Sequence, residues 1–128
     1  HQLRHQLLWK ILMAKTPEAK VKEKVVAKLK ELKAYYFFPA TGGYGKSGVP
    51  DIVCCLGAKF VGIECKAGNN KTTKLQDKNL NQIGEAGGVA LVVNEANMDD
   101  VFAYLSDIGL VWIAPKPFNP TAYEYPEA

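Results

Sequence analysis

Val21, Val25, Leu29 and Leu32 recur at i, i+4, i+8 and i+11, an apolar stripe that predicts an amphipathic helix from Pro17 to about Lys33. Thr16-Pro17-Glu18 opens it with a hydroxyl N-cap, a proline where the first turn has no use for an N–H, and an acid facing the positive end of the dipole. Lys20, Lys22, Lys24, Lys28 and Lys30 fill most of the remaining surface. At about 100° per residue Glu18 falls within the arc of the stripe and Glu23 on the far side, so Glu18 is expected to point inward.

Beyond that helix the periodicity changes. "YYFFP" (35–39), "DIVCCL" (51–56) and "KFVGIECK" (59–66) read as strands, the last two joined through Leu56-Gly57-Ala58 as a hairpin. Thr73 predicts the cap of a second helix that ends at Gly87-Gly88, with Gln76, Leu80 and Ile83 on one face by i, i+4, i+7 spacing. Gln76 is therefore a polar residue on a buried side. "VALVVN" (89–94) has the continuous apolar character of an interior strand. Asn97 is expected to cap a third helix, "MDDVFAYLSDI", stopped by Gly109, and "LVWI" (110–113) to form a last strand. This order of elements gives an α/β domain with a central mixed sheet flanked by helices.

With 128 residues the chain is most simply one domain, assigned here to residues 13–113. Residues 1–12 read as a leader or upstream extension before Met13, and residues 114–128 as an extended Pro- and Tyr-bearing tail. The sequence is 48% hydrophobic and 23% charged, without an apolar run long enough to span a membrane, which points to a soluble protein of the cytoplasm. Cys54, Cys55 and Cys65 lack metal-ligand spacing, and His1 and His5 are far from them in sequence, so the thiols are expected to pack as small hydrophobes in a reducing compartment. A net charge of +3 is mild, and affinity for an anionic partner would have to come from clustered lysines.

One stretch offers a nucleotide site and then withdraws it. "ATGGYGKS" (40–47) satisfies a loose P-loop pattern, but a P-loop needs a helix N-terminus directly after its Lys-Ser pair. Here Gly48-Val49-Pro50-Asp51 follows, and Pro50 pushes Val49 out of helical geometry and lacks an amide donor. Strand-forming residues come next, so a nucleotide triphosphate is not expected as a partner.

What remains is a convergence of acids. Glu64 and Lys66, two apart on a strand, share one face while Ile63 and Cys65 face the other, and hairpin pairing brings Asp51 beside them. Glu18 and Gln76 can approach the same patch from the two helices. Convergent carboxylates repel one another unless a cation lies among them, and hard oxygen donors without His or Cys suit Mg²⁺, with Mn²⁺ able to substitute. Such a cation with a neighbouring lysine suits phosphodiester hydrolysis.

"VPD" (49–51) followed by "IECK" (63–66) matches the PD-(D/E)xK nuclease signature. The wider set of Glu18, "GVPD" (48–51), "FVGIECK" (60–66) and "TKLQ" (73–76) resembles the VRR-NUC (virus-type replication-repair nuclease) family over about residues 16–95. The resemblance implies a restriction-endonuclease-like αβββαβ core. In it Asp51, Glu64 and the Cys65 carbonyl would bind the metal, Lys66 would sit at the attacking water, Glu18 would support the metal or its waters, and Gln76 would orient the site. It also implies a homodimeric, structure-specific DNA endonuclease, with four-way junctions as substrate and flap or nicked DNA as alternatives; a nuclease-like fold that only binds nucleic acid without cutting it is a further alternative. Tyr44, Lys46, Ser47, Lys71, Lys74 and Lys78 are placed to contact a DNA backbone beside such a site.

Overall fold

A computed structural model describes residues 3–8, 16–40 and 47–111, together with 118 and 120. Residues 3–8 are helical. The main body then runs α1 (Pro17–Glu31), β1 (Tyr35–Phe37), β2 (Ile52–Leu56), β3 (Lys59–Cys65), α2 (Lys74–Glu85), β4 (Val89–Val93) and α3 (Met98–Gly109). The sheet order is β1-β2-β3-β4, with β1, β2 and β3 antiparallel in succession and β4 parallel to β3. The change from antiparallel to parallel is made by α2, because a parallel return needs a crossover long enough to carry a helix.

Alternation along the strands divides the sheet into two faces. Ile52, Cys54 and Leu56 of β2 and Val61, Ile63 and Cys65 of β3 join Val21, Val25 and Leu29 of α1 and Val101, Leu105 and Ile108 of α3 in one buried core. Burial of a side chain such as Leu29 or Ile63 contributes about 1.5–3 kcal/mol. That outweighs the few tenths of a kcal/mol lost at each like-charged i, i+4 pair on the lysine-rich side of α1. The opposite face carries Phe60, Gly62 and Glu64, and α2 lies over it. A Cβ on Gly62 would stand 2.6 Å from Ile83 Cδ1 and 3.0 Å from Pro50 Cγ, so the missing side chain is what lets α2 approach the sheet.

The turns are tighter than the sequence suggests. Leu56 pairs with Lys59, leaving Gly57 and Ala58 as a two-residue loop with φ of 56° and 61°, the arrangement whose twist matches a hairpin. A Cβ on Gly57 would fall 2.1 Å from the Ile108 carbonyl oxygen, which fixes the residue type at the point where the hairpin meets α3. α1 stops at Glu31 rather than Lys33: Leu32 is its C-cap, Lys33 turns left-handed at φ 59°, and the Ala34 amide donates back to the Leu29 carbonyl. α2 ends the same way at Gly87, as its glycines predict.

Four expectations need correction. β4 is the edge strand among the described residues, its side chains mostly half-buried, because Leu110 is the cap of α3 and Val111 joins no strand; residues 112 and 113 lie outside the described residues. Gly109 is the last residue of α3 rather than its stop. Asn97 sits at the N-cap position without a capping bond, since its side chain accepts from the Asn94 amide and donates to the Val92 carbonyl instead. Cys55 is exposed, facing away from the core that holds Cys54 and Cys65.

Candidate functional site

The acids meet where β2 begins and β3 ends. Ile52 pairs with Ile63 in the antiparallel register, so the residue before one and the residue after the other, Asp51 and Glu64, stand across from each other on the α2 face. Asp51 lies just past the end of the ladder. Its Oδ2 accepts a 2.8 Å hydrogen bond from the Cys65 amide, so the side chain replaces the main-chain acceptor that the ladder no longer supplies. On the other side of the strand the Lys66 amide donates to the Val93 carbonyl at 2.8 Å, which fixes the end of β3 between two neighbours.

Glu64 is 2% exposed, the one buried acid of the described residues. Its Oε2 accepts from Gln76 Nε2 at 3.1 Å and lies 3.8 Å from Lys66 Nζ. Its Oε1 is buried and receives no hydrogen bond. Burial first, then the negative charge of the facing Asp51 carboxylate, and last Glu18, push the Glu64 pKa up to about 7 against the lowering effect of Lys66. A carboxylate this poorly solvated needs either a proton or a cation.

Gln76 is held from its own helix. Thr73 Oγ1 accepts from the Gln76 amide at 3.2 Å and Gln76 Oε1 accepts from the Thr73 amide at 2.9 Å, a complete capping box at the start of α2. Because the backbone N–H can only face the amide oxygen, the Gln76 NH₂ group is turned toward Glu64. One turn later Asn79, 5% exposed, donates to the Ser47 carbonyl at 3.1 Å and to the Leu75 carbonyl at 2.9 Å. Its buried position on the face of Leu80 and Ile83 made it legible in the sequence, where only Gln76 was singled out. Asn79 ties the approach to Asp51 onto the helix that holds Glu64.

Glu18 is solvent-exposed, contrary to the inward direction read from the stripe. The helical angle gives a direction about the axis but not whether anything lies across from it, and none of the described residues buries the Glu18 side chain. Its charge still reaches Glu64 and Cys65, so it borders the cluster. Among the candidate DNA contacts, Ser47, Lys71, Lys74 and Lys78 are exposed, while Tyr44 and Lys46 lie outside the described residues. After Ser47 and Gly48 the chain makes a turn, straightens through Pro50 and enters β2; no helix starts there.

The donors fit a hard divalent cation. Two facing carboxylates, an orphaned buried oxygen on Glu64 and the end of β3 supply oxygen ligands only. Among the described residues no three His, Cys, Asp or Glu side chains come together, so a ligand set would be completed by a main-chain carbonyl or water. Cys65 could contribute only its carbonyl, since burial first, and then Asp51 and Glu64, push its thiol up to about 12 and keep it protonated, with Lys22 acting in the opposite direction.

Among solved structures, the fold is similar to that of a protein described as a VRR_NUC domain protein, with a TM-score of 0.55, 20% sequence identity, and 73% of this chain and 91% of that chain covered. The four-stranded mixed sheet with helices on both faces is thus the α/β fold seen in that VRR_NUC domain protein. The sequence matches no family model and no curated protein. No helix of the described residues is long and apolar enough to cross a membrane.

Proposed function

We propose that this chain is a Mg²⁺-dependent endonuclease that hydrolyses phosphodiester bonds in branched DNA, with four-way junctions as its substrate, acting as a homodimer in the cytoplasm. The observation that carries the reading is the pairing of Asp51 with a buried Glu64 whose Oε1 is unpartnered, next to Lys66. The fold supports it.

Asp51, Glu64 and the Cys65 carbonyl would hold the cation, with Glu18 acting through water and Mn²⁺ able to replace Mg²⁺. When bound, the cation supplies polarisation of a phosphodiester oxygen and lowers the pKa of water. Lys66 orients the attacking water and stabilises charge developing on the phosphate. Gln76 fixes Glu64, so the carboxylate needs no reorganisation as substrate arrives. Lys71, Lys74, Lys78 and Ser47, together with Lys46 and Tyr44, would contact the DNA backbone. Two such sites in a two-fold dimer match the two strands cut in resolving a junction.

The test is cleavage of end-labelled four-way junctions, flaps, nicked duplex and linear duplex in Mg²⁺, beside Asp51→Ala and Lys66→Ala. Symmetric paired cuts in the junction, lost in both variants, are expected, together with a dimeric mass in solution. Variants that cut as well as the parent would overturn the site; cuts confined to flaps or nicks would overturn the substrate.

A further inference from the structure

The acid cluster is flanked by cations on the α2 side, and on the α1 side Glu18 adds a further negative charge. There α1 presents Lys22, one turn on from Glu18 and half-buried. Its Nζ stands 4.3 Å from the centre of the Phe38 ring. β1 ends at Phe37, which pairs with Val53, so Phe38 follows at the end of the sheet where Asp51 leads into β2 at Ile52. The pair therefore stands at the same end of the sheet as the acids. Lys22 also acts electrostatically on Cys65, whose amide holds Asp51.

Like most lysines of the described residues, Lys22 forms no ion pair, although Glu18 is a helical turn away. Its seat is what separates it from an ordinary surface lysine. What holds it is a ring face, which attracts an ammonium without neutralising it, so the full charge stays available to an anion. Phe38 is in turn braced by Tyr36, ring centres 6.0 Å apart and tilted by 51°, yet stays 43% exposed. An exposed aromatic that fixes an uncompensated cation at the rim of an acidic site is suited to a phosphodiester backbone.

We propose that Lys22, held over the Phe38 ring on the α1 side of the acid cluster, contacts a DNA backbone phosphate neighbouring the one attacked, and that Phe38 is the residue that positions it. The inference rests on the nuclease reading and adds a contact to it. Neutralising one phosphate makes a fixed contribution to the salt dependence of binding, whatever the DNA sequence.

The experiment measures binding of the full chain to a labelled four-way junction and to linear duplex in Ca²⁺ instead of Mg²⁺, with intact DNA verified, across about 50–200 mM KCl. For Lys22→Met the affinity should fall roughly three- to tenfold for both DNAs, and the slope of log affinity against log salt should become shallower by about 0.9. Lys22→Arg should restore both, because a guanidinium also stacks on a ring. Phe38→Leu should lose part of the affinity, and the double variant Lys22→Met/Phe38→Leu should bind no worse than Lys22→Met alone. If the parent binds DNA and Lys22→Met leaves affinity and slope unchanged, Lys22 is no phosphate contact while the nuclease reading stands. A double variant weaker than Lys22→Met would show that Phe38 acts otherwise than through Lys22. If the parent binds neither DNA, both readings fall.

Discussion

Gln76 Nε2 donates a 3.1 Å hydrogen bond to Glu64 Oε2 while Gln76 Oε1 accepts from the Thr73 amide at 2.9 Å, so one amide side chain both caps α2 and orients the buried acid. Gln76→Ala removes both bonds and Thr73→Ala only the cap. Each should lower stability by about 1–2 kcal/mol. Only Gln76→Ala should lower the cleavage rate at saturating Mg²⁺ by about 10- to 100-fold, the usual effect of losing a partner that orients a ligand. Thermal melts without metal, set beside single-turnover rates, separate the two effects.

Glu64 gives the metal-free protein a pH dependence of definite sign. Its pKa is about 7 in the folded chain against 4.5 for the unperturbed group, so between those values the folded state carries the extra proton. Stability contributed by Glu64 is therefore largest at the acid end of the window and falls as pH rises through it, by an amount on the order of 3 kcal/mol. Glu64→Gln should flatten the dependence and exceed the parent in stability at about pH 8. Denaturant melts of both chains in EDTA across the window test this.

Mg²⁺ should act in the opposite sense, since cation and proton compete for the same carboxylate. The rise in melting temperature on adding Mg²⁺ should be larger above pH 7 than below it, and absent in Glu64→Gln. Equal shifts across the window would remove Glu64 from the metal site.

Gly48 has φ +77°, and a Cβ there would meet Leu75 Cγ at 2.6 Å, the Leu75 carbonyl oxygen at 2.8 Å and Asn79 Nδ2 at 2.9 Å. Gly68, at φ +58°, has open space around it. Gly68→Ala should cost only the left-handed backbone penalty of about 1–2 kcal/mol, and Gly48→Ala about 1–3 kcal/mol more. Equal losses in urea melts would mean that α2 does not pin this turn.

Gly62→Ala should press on Ile83 and cost about 1–3 kcal/mol. Ile83→Val deletes the Cδ1 that the new methyl would meet at 2.6 Å, so the double variant should lose less than the two single losses together. Strict additivity would place the conflict elsewhere, with Pro50 as the next neighbour.

The elements and the meeting of Asp51, Glu64, Lys66 and Gln76 in one candidate site were legible because their signals are local. The stripe Val21-Val25-Leu29, the alternation through Ile63, Glu64 and Cys65, and the Thr73 and Gly87 boundaries each follow from one helix or strand period, and the α/β class follows from their order. Asp51 and Glu64 could be paired from the hairpin register alone. What required the tertiary structure was everything set by neighbours distant in sequence. A helical angle aimed Glu18 inward, but the packing of the described residues leaves it exposed. An apolar run made β4 resemble an interior strand, yet among the described residues the crossover of α2 leaves it at the sheet edge. The orphaned Oε1 of Glu64, the Asn79 tie to Ser47 and the seat of Lys22 over Phe38 depend on how separate elements pack, and residue spacing along one chain carries no distance between elements that only burial brings together.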